Sequence, residues 1–252
     1  MKRITDTIAA EGRRIAAHPF LGRIDGVPIE TLIPILAYNT GFWNMAFQDV
    51  IRLVNEAVES PELKVYSEHH FQEDSGHHIW FVNDIKALGY DWGSRLYSYF
   101  EDRNATARVL TYKILSELFR LTDDRLRIAL LLSLESPGHV FFGKMSRYMA
   151  KHGISGKMQY FGKNHIKVEK EHMVFAEASD EALNGIVLED AVAEEGIAMV
   201  VRIHELFHRL ADEMCRQLED SQWISELMTS ETAPASQSAP VPPVDMSFLA
   251  QS

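Results

Sequence analysis

No stretch of this chain alternates apolar and polar residues with a period of two over a convincing length, whereas apolar residues recur at helical spacing along most of it. Half-buried strands need the first pattern and amphipathic helices the second, so the chain is constrained to an all-α architecture. Ile4, Ile8, Ala9, Ile15 and Ala16 define a first helix that ends before His18-Pro19, and a loop with Gly22, Gly26 and Pro28 follows. Trp43, Phe47, Ile51 and Val54 form one stripe of a helix over 29–57, from which Gln48 and Asp49 are the polar candidates for reaching inward. Ser60-Pro61 predicts a helix start, with Ser60 as cap and Pro61 in the first turn, and Gly89 predicts its stop. Further helices are predicted at about 93–101, 104–121, 124–151, through 165–172, near 179–184 and over 188–220. Pro137 lies inside one of them. Because proline removes a helical hydrogen bond and crowds the preceding turn, a kink or break is expected just after Glu135.

The closing segment from Thr229 is mostly Ser, Thr, Ala, Pro and Gln. Such a composition buries too little apolar surface to offset its ordering entropy, so the chain divides into a helical domain at 1–225 and a disordered tail at 226–252. A formal net charge of −11 and the lack of a Lys/Arg cluster argue against a nucleic-acid partner. The longest apolar runs fall far short of the roughly 20 residues of a membrane span. A single cysteine, Cys215, rules out an intrachain disulfide framework and suits a reducing, cytoplasmic setting.

Against this background three polar constellations stand out. His165, Glu169 and His172 are spaced i, i+4 and i+7, so a helix projects all three from one stripe. Glu73-Asp74-Ser-Gly-His77 pairs a carboxylate with an imidazole at one-turn spacing, with either Glu73 or Asp74 as the partner. Glu135 ends a strongly apolar run. Carboxylates are costly to bury unpaired, and several converging with imidazoles require a cation to neutralise them. Imidazole and carboxylate without thiolate suit iron or manganese better than structural zinc.

His165-x3-Glu169-x2-His172, the lone Glu135 thirty residues upstream and the acid-then-histidine motif before it resemble the ligand pattern of the haem-oxygenase-like diiron oxidases and oxygenases. The similarity covers about residues 30–210 in helix order. It implies one haem-oxygenase-like bundle of about seven to eight helices, with Asp74, His77, Glu135, His165, Glu169 and His172 as metal ligands. Family members more often carry Glu where Asp74 stands, so Glu73 remains the alternative. The resemblance further implies two iron ions, with manganese as a substitute. It implies an oxidoreductase that uses O2 to oxidise a small amine, amino acid or fatty-acid-like molecule, and leaves an external electron donor open; the short apolar runs argue against a membrane partner. A homodimer is left open. Trp43, Phe47, Trp80, Phe81, Phe141 and Phe142 are candidates for the pocket wall, and His69, His70, His78 and His139 are assigned to supporting or surface positions.

Two alternatives come from other classes. The fold is also shared by thiaminase-like proteins and by metal-free helical proteins, so a binding module is one. His204-Glu205-Leu-Phe-His208 is a literal H-E-x-x-H, the zinc-protease signature. The residues after it lack a glycine and third histidine, and no strand is available to align a peptide, which weighs against that activity.

Overall fold

Helices carry the computed structural model, which describes residues 1–90, 97–167, 183–220 and positions 222, 223 and 225; no strand occurs among these. In chain order they are α1 (Lys2–Ala16), α2 (Pro19–Arg23), α3 (Ile29–Ala57), α4 (Pro61–Asp74), α5 (His77–Ala87), α6 (Ala105–Arg120), α7 (Asp124–Lys151) and α8 (Asp190–Glu219). A short helix at 163–167 lies between the last two. The predicted helix near 179–184 and the tail at 226–252 lie wholly or mostly outside the described residues.

α1 buries Ile4, Ile8 and Ile15 against α7 and α8, as its spacing predicts. Ile4 is fully enclosed, so truncating it to Ala would cost about 2–5 kcal/mol. α3 is the central rod and packs on α4, α5 and α6. Its first half, Leu32 to Tyr38, is buried all round rather than on one stripe. Pro34 sits inside that half and has no N–H for the carbonyl of Glu30, four residues earlier. The Tyr90 hydroxyl donates to that carbonyl at 3.1 Å, so the opened acceptor is satisfied from another part of the chain. Asn39 and Gln217 tie α3 to α8 by a reciprocal amide pair, at 2.5 and 3.2 Å.

The structure departs from several of these expectations. The predicted loop after His18 contains α2, whose first turn is capped by the His18 ring, with Nδ1 accepting from the Phe20 N–H at 3.2 Å. Ser60 does not cap α4 with its side chain; Asp124, at the start of α7, accepts from the Glu59 and Ser60 N–H groups instead, at 2.8 and 2.7 Å. The helix expected to run unbroken to Gly89 is divided at Ser75-Gly76, where Gly76 adopts φ of 96°, a left-handed conformation that favours glycine. Conversely, α7 continues through Pro137 without a break. Leu130, Leu131 and Leu134 before the proline, with Met145, Tyr148 and Met149 after it, are buried, and that packing offsets the lost hydrogen bond. Of the helix predicted at 93–101, residues 97–101 are described, and 97–100 form a 3-10 turn.

Candidate metal centre

The break between α4 and α5 controls where the polar groups go. α4 ends with His70 and Asp74 one turn apart on one face, and α5 begins at His77. α7 packs on α4 and brings Glu135 to the same place. Ligand atoms of His70, Asp74 and Glu135 all lie within 4.8 Å of one another. His77 Nδ1 is 3.3 Å from an Asp74 oxygen, and both side chains are about 6–7% exposed. His165, on the helix at 163–167, is 1% exposed, and its ring centre stands 4.7 Å from that of His77.

Four of the six predicted site residues, Asp74, His77, Glu135 and His165, therefore come together, and Glu169 and His172 lie outside the described residues. Asp74 faces this group, while Glu73 stands 2.8 Å from His69 Nε2 on a more exposed side of α4. His70, assigned from the sequence to a supporting role, joins the group directly. Its i, i+4 spacing to Asp74 was visible, but its approach to Glu135 depends on how α4 meets α7. His139 is exposed, and burial pushes the His69 imidazole below its usual pKa.

The His165 ring is held on two sides. Phe142 stacks on it with centres 3.8 Å apart, and Nδ1 lies 2.8 Å from the Tyr160 carbonyl oxygen. A carbonyl can only accept, so Nδ1 carries a proton, and in the neutral ring it is Nε2 that holds the lone pair through which an imidazole binds a metal. His70, Asp74 and Glu135, two carboxylates and an imidazole without thiolate and with His77 and His165 beside them, are donors of the kind that suits iron or manganese.

Asp74, His77, Glu135 and His165 line a cavity of about 130 Å³. Its walls are mainly apolar: Trp43 and Phe47 from α3, Phe141 and Phe142 from α7, and Phe207, Leu210 and Met214 from α8. Trp80 stacks on His77 at 4.6 Å instead of lining the wall, and Phe81 is buried in the core. The polar wall residues from α3 are Thr40 and Asn44, not the expected Gln48 and Asp49. Gln48 accepts from the Gly76 N–H at 3.0 Å, and Asp49 pairs with Arg52 in solvent. Thr40 accepts from Asn44, and Asn44 accepts from the Tyr160 hydroxyl, so these groups are satisfied among themselves.

His204-Glu205-x-x-His208 occupies a different place. His204 is fully buried with Nδ1 on the Val200 carbonyl, and Glu205 is half exposed beside Arg209. Among the described residues, neither histidine is grouped with two further donors. No helix of the described residues is long and apolar enough to cross a membrane.

No family model and no curated protein matches the chain. Among solved structures it is similar to a domain of unknown function with a heme oxygenase-like fold from Shewanella denitrificans OS217. The identity is 15% and the TM-score 0.64, over 94% of this chain and 97% of that one.

Proposed function

The chain has a haem oxygenase-like fold, and on that premise we propose that it is a non-haem diiron oxidoreductase that uses O2 to oxidise a small, largely apolar molecule. The observation that carries this reading is the meeting of Asp74, Glu135, His77 and His165 in the wall of an apolar cavity, with His70 beside Asp74 and Glu135. Asp74, His77, Glu135, His165, Glu169 and His172 would hold two iron ions, with His70 as a further donor. When bound, the ions supply electrons and open coordination positions for dioxygen. An external donor supplies whatever electrons the substrate does not.

The protein's own residues do the rest. Asp74 and Glu135 provide negative charge that favours cations there, and the Tyr160 carbonyl engages His165 Nδ1, which leaves Nε2 as the nitrogen available to a metal. Phe141, Phe142, Trp43 and Phe207 exclude water and present a surface suited to an apolar substrate. Size narrows the class further. A dry cavity of about 150 Å³ holds a benzene molecule, and this one is about 130 Å³. That favours a compact apolar body over a long acyl chain.

The test is metal content together with oxygen uptake by the Fe(II)-loaded protein across amines, amino acids and short fatty acids. Uptake stimulated by members with compact apolar side chains is expected. An iron-loaded protein whose uptake no member stimulates would end the oxygenase reading, and a protein that takes up no iron would leave the metal-free binding module.

A further inference from the structure

Asp84 is a buried carboxylate that the site described above does not use. It lies on α5 seven residues after His77, on the same side of that helix, and is 2% exposed. Its oxygens accept from the backbone N–H groups of Gln159, Tyr160 and Phe161, at 2.9, 2.8 and 2.9 Å. Three successive amides pointing at one carboxylate require a tight curl of the chain. Two features close that curl. The Lys163 N–H donates to the Ser155 hydroxyl at 3.0 Å, and Gly162 sits where a Cβ would collide with the carbonyl oxygens of Ser155 and Met158.

The curl has a consequence in the cavity. It aims the Tyr160 carbonyl at His165 Nδ1, 2.8 Å away, and it sets the Tyr160 ring in the cavity wall with its hydroxyl on Asn44. Burying a carboxylate opposes its ionisation, and burial holds the Asp84 carboxyl above the usual carboxylate range against the pull of the three N–H donors. The same peptide that Asp84 holds, at Tyr160, carries the carbonyl that meets His165 Nδ1.

We infer that Asp84 is a positioning residue for the cation site: through residues 159–161 it fixes the tautomer and direction of His165 and the seat of Tyr160. This rests on the proposed cation site. Asparagine is nearly the same size, but it places an NH2 where a carboxylate oxygen accepts, so one of the three amides would face a donor.

The experiment compares wild type with Asp84→Asn in the full chain, using ¹⁵N NMR of histidine-labelled apoprotein and Co(II) titration. In the wild type, at a pH where the ring is neutral, His165 should show a protonated Nδ1 and a bare Nε2. In Asp84→Asn the signals should move to the mixture of a free imidazole, with the Co(II) Kd raised about 10–100-fold and the visible bands altered. A loop anchor with no influence on the site would lower the melting temperature but leave the His165 signals and Co(II) bands of the folded protein unchanged, and that result overturns the inference. Should Asp84→Asn fail to fold, the wild-type spectrum decides, because a bare Nδ1 or a mixture there removes the link from Tyr160 to His165. Absence of Co(II) binding by wild type overturns the cation site and with it this role. Equal binding by both proteins overturns the role of Asp84 alone.

Discussion

Two regions of the molecule carry histidines and a glutamate at helical spacing, and they differ in what the neighbouring helices bring to them. At the end of α4, His70 and Asp74 meet Glu135 from α7, His77 from α5 and His165 from beyond α7. On α8, His204, Glu205 and His208 have the spacing of a zinc-protease motif, but Glu205 faces solvent beside Arg209. The polar atoms of His204 are taken by the Val200 carbonyl and, at 3.4 Å, the Ser136 hydroxyl. Spacing along one helix sets a stripe. A site forms only where several helices contribute to that stripe, as α4, α5 and α7 do.

The largest expected effect sets the two regions directly against each other. Glu135→Ala should abolish iron loading while leaving most helicity, read by metal analysis and circular dichroism, whereas His204→Leu should leave iron loading intact. Retained iron in Glu135→Ala, or iron lost only in His204→Leu, would reverse the comparison.

Next in size, Gly76→Ala forces a side chain into a left-handed backbone and should cost about 1–2 kcal/mol in urea unfolding. It should also weaken metal binding, because Gly76 joins the helices that carry Asp74 and His77. Equal metal affinity in the variant would separate the hinge from the site.

A smaller effect concerns pH. Burial lowers the pKa of both His204 and His208. A group whose folded pKa is depressed contributes stability that is present above the unfolded value of about 6.5 and lost as pH falls toward the folded value. Stability should therefore drop between about pH 6.5 and mildly acidic conditions, and His204→Leu should flatten that slope. An unchanged slope in the variant would assign the pH dependence elsewhere. The smallest effect is Glu205→Gln, expected to shift stability by no more than about 0.5 kcal/mol and to leave metal content unchanged. A loss of bound metal in it would revive the protease-like motif.

Much of this was legible in the sequence because the signals were local. The bounds of α3 and α7 follow from Pro28, Asp123 and the apolar stripes between them, and the approach of Asp74 to His77 follows from their one-turn spacing. What was not legible depends on distant partners. Asp84 accepts from amides more than seventy residues away, and no spacing rule points to it. His70 looked peripheral because Glu135 reaches it only through the packing of α4 on α7. The rule that proline breaks a helix failed at Pro137, where buried residues on both sides hold the rod together, and held in a different form at Pro34, where Tyr90 supplies the missing donor.

The turn at Ser75-Gly76 gives the cluster a mechanical property. His70 and Asp74 ride on one rod and His77 on the next, so a small change in the angle between the rods alters donor separations without unwinding either. Gln48, reaching from the central helix to accept from the Gly76 amide at 3.0 Å, ties that joint to α3.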